Sequence, residues 1–159
     1  MINESGRNLP GMEADKVIEF RDLALLELKR AERYRNFLSL MVLNLSEFLA
    51  SAGRRKITSR EESEAFIKKV IDRVRFEARE TDTVSKVDDG RLVMLMPETD
   101  RNGAEVAGTR MKELLSEFMS EFLDSNYKFE VPVEISSFPE HGVDDISIKR
   151  RLQKLFILS

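Results

Sequence analysis

The chain has 159 residues, enough for one domain with a single core, and its 42% apolar and 35% charged residues are ordinary for a soluble globular protein. A net charge of −3 argues against a general nucleic-acid binder, and the absence of cysteine excludes disulfides and thiol chemistry, which fits a cytoplasmic protein. No apolar run approaches membrane-spanning length and the N-terminus lacks a signal-peptide pattern, so no membrane insertion is expected.

Met1–Gly11 carries Asn, Ser, Gly and Pro without periodicity, and residues 1–12 are read as a flexible lead to a single domain over 13–159. A helix is predicted over Glu13–Asn36, with Val17, Phe20, Ala24, Leu28 and Ala31 on its buried face. Phe37–Leu45 is predicted as a buried strand. Glu47–Thr58 reads as a loop or helix–loop. Ser59 is the expected cap of a helix reaching about Glu80, with Glu62 completing a capping box and Ile67, Val70, Ile71, Val74 and Ala78 facing the core.

Thr83–Val87 and Leu92–Met96 read as two strands of a hairpin. Asp89-Gly90 between them predicts a two-residue type I′ turn, because both positions tolerate positive φ. Asp100 or Asn102 is the expected cap of a helix through about Leu123, with Ala107, Met111, Leu114, Leu115, Phe118 and Phe122 as its stripe. Tyr127–Phe138 alternates as a last strand, and a short helix over about Asp144–Phe156 closes the chain. The central βαββαβ order predicts an α+β, ferredoxin-like fold. In it an antiparallel sheet carries both crossover helices on one face.

Residues 19–48, with Glu27-x-x-Arg30-Ala31-x-Arg33-Tyr34 among them, resemble the first helix and strand of the GGDEF family, the bacterial diguanylate cyclases. The stretch Arg79–Pro97, in the order RxxD, five residues, hairpin, apolar strand and Pro, is also similar to that family. The resemblance covers roughly Phe20 to Gly142. It implies a cyclase-like fold. The family's signature falls on Asp88-Asp89-Gly90-Arg91-Leu92, so the frame is kept and the signature is not.

By the resemblance, cyclisation of GTP needs divalent metal held by carboxylate oxygens. The metal-binding aspartate position at the end of the first strand is Asn44, and the position two further on is Ser46. Leu49 stands where the family has a lysine. The acidic pair of the signature is Gly90 and Arg91, and the phosphate-facing glycines are Asp88 and Asp89. The expectation is a degenerate domain that is not an enzyme and holds no metal or other cofactor.

A second, product-binding site of the family is an RxxD motif five residues before the signature, joined by an arginine on the following helix. Here these are Arg79, Asp82 and Arg110. Guanidinium forks bind guanine O6 and N7, bind phosphates and stack on purines. Asp82 is expected to accept from guanine ring N–H groups. Against this stands the plain reading: a local Arg79–Asp82 ion pair at a helix end, worth little, and a solvated Arg110.

His141 sits in a Pro-Glu-His-Gly turn, where surface exposure is the expectation. Lys149-Arg150-Arg151 reads as a solvated face, and Asp88-Asp89 is too small a cluster for a metal. Two functions stay open: a non-enzymatic cyclic di-GMP receptor using Arg79, Asp82 and Arg110, or an interaction module that docks a signalling protein or a second copy of itself. A GTP-binding, non-cyclising regulator ranks below both.

Overall fold

A computed structural model describes residues 12–143 and 145–156. Helix α1 (Met12–Tyr34) leads through Arg35, at φ 57°, into strand β1 (Leu38–Asn44). Helix α2 (Ser46–Ala50) and a 3₁₀ turn (Ala52–Arg55) fill the segment read as helix–loop. Helix α3 (Arg60–Glu77) precedes the hairpin of β2 (Thr83–Lys86) and β3 (Arg91–Pro97). Helix α4 (Arg101–Phe122), strand β4 (Val133–Phe138) and helix α5 (Ile148–Leu155) complete the order.

The sheet is antiparallel throughout, in the order β2-β3-β1-β4. This is the ferredoxin-like arrangement expected from the sequence. Side chains alternate across the sheet. Met41, Leu43, Val84, Leu92, Met94 and Met96 therefore face α3 and α4. Leu38, Leu40, Val42, Val93 and Leu95 face α1 and α5. The two central strands are covered on both sides, which is why they read as unbroken apolar runs.

The expected faces of α1, α3 and α4 pack as read. Phe20, Ala24, Leu28 and Ala31 are buried on α1, and the side chain of Val17 lies outside the described residues. Ser59 caps α3 by accepting from the Glu62 amide at 3.1 Å. The Glu62 carboxylate accepts from the Thr58 hydroxyl at 2.8 Å, and that bond, with Ser59, holds its carboxyl below the usual range. Asp100, not Asn102, caps α4, accepting from the Gly103 amide at 2.8 Å. Helix α5 begins only at Ile148, capped by Ser147; Asp144 lies outside the described residues.

Three expectations need correction. Helix α3 stops at Glu77, because Ala78 is extended and the Arg79 amide is claimed by the Asp82 carboxylate. Strand β4 starts at Val133, because Pro132 has no N–H for the ladder. Val131 is nevertheless buried, and Phe129 packs on the same core.

The hairpin is not type I′. Its register opposes Lys86 with Leu92, and Val87 donates to the Arg91 carbonyl at 2.8 Å, leaving Asp88, Asp89 and Gly90 as the loop. Neither Asp89 nor Gly90 adopts the left-handed backbone that such a turn requires. The Asp88 carboxylate instead accepts from the amides of Gly90 and Arg91 at 3.0 and 2.9 Å, a side-chain turn that substitutes for the backbone one.

Gly90 is needed for space. A Cβ there would stand 2.5 Å from Ser46 Oγ and 3.0 Å from Ser46 Cα. The hydroxyl can turn away, but the backbone atom cannot. Gly90→Ala should therefore cost about 1–3 kcal/mol, as overpacking does. Urea unfolding should show a lower midpoint than wild type. Gly142→Ala, which meets nothing within 4 Å, should leave it unchanged.

Candidate functional site

Two places on the fold carry the residues singled out from the sequence. The first is the end of β1 and β3. Asn44 and Arg91 are cross-strand partners there. Asn44 Oδ1 accepts from the Ser46 amide at 2.9 Å, and Leu45 donates to the Gly90 carbonyl at 2.6 Å. Arg91 is bound by Asp88 through Nε and Nη2, at 2.8 and 2.7 Å. Burial raises the Asp88 carboxyl's pKa, but the bonds from Arg91 and the Gly90 amide outweigh it and hold the carboxyl below its ordinary value. Asp89 is highly exposed and pairs with Lys86 at 3.3 Å.

The oxygen ligands at this place are an amide, a hydroxyl, the Asp88 carboxylate neutralised by a guanidinium and the exposed Asp89 carboxylate paired with Lys86. A hard divalent cation takes several oxygen ligands, with carboxylates foremost. These residues do not fit one.

The second place is a pocket of about 220 Å³ between the end of α3 and the first half of α4. Its floor is apolar: Met94 and Met96 from β3, Met111 and Ala107 from α4. Glu77, Arg79, Asp82, Thr99 and Arg110 supply its polar groups. The three residues read as a ligand site thus line one cavity, although they come from two different segments.

Their geometry is built from the local chain. The Asp82 carboxylate accepts from the Arg79 amide at 2.9 Å, while the Asp82 amide donates to the Arg79 carbonyl at 2.9 Å. This reciprocal turn explains the RxxD spacing. It leaves the Asp82 side chain only 5% exposed, with Oδ1 turned to the Arg79 guanidinium at 3.5 Å. Asp82 therefore orients Arg79.

Arg79 Nη2 also donates to the Pro97 carbonyl at 3.0 Å and to the Thr99 hydroxyl. The turn that carries them is held from beneath. Ser39 Oγ, fully buried on β1, donates to the Thr99 carbonyl at 2.8 Å and meets Ser137 Oγ at 2.8 Å. Arg79 is thus anchored along one edge of its guanidinium to the middle of the sheet, while its side chain stays 56% exposed. Arg110, on the third turn of α4, reaches Glu77 at 3.5 Å.

Sequence reasoning missed Glu77 and Thr99. Glu77 looks like any polar residue of a helix end, and its partner lies 33 residues away. His141 is exposed, as expected. Lys149 and Arg150 are exposed as well, but Arg151 is not simply solvated: it binds Ser136 Oγ at 3.1 Å and the Glu134 carboxylate. Among the described residues, no group of three or more His, Cys, Asp and Glu side chains is placed to hold a metal ion. No helix among them is long and apolar enough to cross a membrane.

The sequence matches no protein-family model and no curated protein. Solved structures do match. The active GGEEF domain of a diguanylate cyclase from Vibrio cholerae superposes with TM-score 0.56 at 18% identity, over 76% of this chain and 73% of that one. A DGC protein from Thermotoga maritima gives 0.57 at 15%, over 85% and 90%. The GGDEF domain of DgcB from Caulobacter crescentus, in complex with c-di-GMP, gives 0.54 at 16%, over 74% and 68%. The chain has the fold of the GGDEF domains of diguanylate cyclases.

Proposed function

We propose that this chain is a non-cyclising signalling domain that binds cyclic di-GMP in the pocket of Arg79, Asp82 and Arg110. The observation that carries the reading is the convergence of these three residues on one cavity. Two guanidiniums flank an apolar floor there. A purine face can lie against Val106 and Ala107, above the buried methionines, while the forks take guanine O6 and N7 or a phosphate. The ligand's chemistry and the pocket's chemistry correspond.

The non-cyclising half of the proposal rests on the first place. Cyclisation needs a metal to neutralise triphosphate charge. Asn44 offers a neutral amide, and the Arg91 guanidinium beside it takes up the Asp88 carboxylate. Cyclic di-GMP then acts as an input that changes what the domain docks.

Calorimetric titration with cyclic di-GMP tests the receptor half, and GTP with magnesium or manganese tests the other. Saturable binding with no cyclic di-GMP formed from GTP is the expected pair of results. Absence of binding overturns the first half, and turnover overturns the second.

A further inference from the structure

The polar groups of the pocket carry balanced charge. Arg79 and Arg110 are opposed by Asp82 and Glu77. The two carboxylates are not equivalent. Asp82 is almost completely buried and is committed to the Arg79 amide, so it belongs to the turn. Glu77 is the last residue of α3, its side chain is 33% exposed, and it reaches from α3 to Arg110 on α4. Arg110 is 67% exposed. The pair therefore joins the two helices that flank the pocket, and it occupies a guanidinium that an anionic ligand would use.

We infer that Glu77 sets the affinity and charge preference of this pocket by competing with the ligand for Arg110. The inference rests on the receptor reading above. A cyclic dinucleotide brings two phosphate charges. It meets a rim of balanced charge, and it must displace the Glu77 carboxylate to engage Arg110. Like-charge juxtaposition is a common way to weaken or filter a partner. An exposed ion pair is worth little, so a ligand can displace it, at the cost of a weaker complex.

The test is cyclic di-GMP titration of wild type, Glu77→Gln, Arg110→Ala and the double variant. Glutamine keeps the shape and removes the charge. Glu77→Gln should tighten binding about fivefold, near the upper value of an exposed pair. The gain should vanish when Arg110 is alanine, a coupling that a change in helix packing alone would not produce. Binding by wild type that is unchanged or weakened in Glu77→Gln overturns the inference and leaves the receptor reading standing. Binding only by Glu77→Gln supports the inference and overturns the receptor reading for the native chain. Silence of both overturns both.

Discussion

Phe66→Ala should destabilise the domain by about 3–5 kcal/mol, the usual cost of deleting a buried phenyl ring. Phe66 is 2% exposed. Its ring lies 5.5 Å from Phe48, nearly parallel, and 4.7 and 5.7 Å from Phe122 and Phe118. Those rings belong to α2 and α4, so one side chain on α3 ties three helices together. Removing it loses the burial term and leaves a cavity walled by rings on separate helices, which cannot all close in. Domains of this kind hold about 5–15 kcal/mol in total, so the variant should sit near its unfolding threshold. Urea denaturation is the measurement. Phe76→Ala, at a side chain 83% exposed, should stay within about 0.5 kcal/mol of wild type. A loss below about 1 kcal/mol for Phe66 would contradict the packing described.

Arg79→Ala should weaken cyclic di-GMP binding by about 1.5–3 kcal/mol, the value of a hydrogen bond to a charged group. That is roughly ten- to over a hundredfold in affinity. The fold should survive. Asp82 binds the Arg79 backbone amide, which alanine retains, so the turn keeps its shape. What is lost is the guanidinium, with its bonds to the Pro97 carbonyl and Thr99 hydroxyl and its contact with Asp82 Oδ1. Arg110→Ala should weaken binding too, because it removes the second fork. Lys149→Ala, outside the pocket, should change little. An affinity that survives loss of both arginines would contradict the site.

Much of this architecture is legible in the sequence, and the reasons are local. Leu40–Leu43 and Leu92–Met96 show no alternation because two helical layers cover the sheet. Ser59 and Asp100 announce their helices because a short polar side chain can take an orphan amide. The failures are also chemical. Asp89-Gly90 suggests a primed turn, but the Asp88 carboxylate satisfies the same amides with ordinary φ. Tyr127–Val131 alternates like a strand, yet Pro132 interrupts the ladder while the apolar side chains still pack.

The pocket was partly visible. Arg79, Asp82 and Arg110 could be picked out by their spacing in a resembling family. Their convergence depends on the chain reversal after Glu77 and on the buried Ser39–Thr99 contact, which no spacing encodes. Only coordinates show that the Asp82 carboxylate is engaged by the Arg79 amide and guanidinium. The methionines beneath the pocket are core, as read, and the apolar surface open to a ligand is that of Val106 and Ala107 on α4.

The central claim is that cyclic di-GMP binds at one place on this domain, and amide chemical-shift mapping tests it most directly. On titration with cyclic di-GMP, the amides of Arg79, Asp82, Thr99, Gly103, Ala107 and Arg110 should shift together and saturate, while those of Asn44, Asp89 and Lys149 stay still. In the Arg79→Ala protein the same amides should need roughly ten- to over a hundredfold more ligand to shift as far. No shift at millimolar ligand, or shifts centred on Asn44 and the Asp88–Gly90 loop, would contradict it.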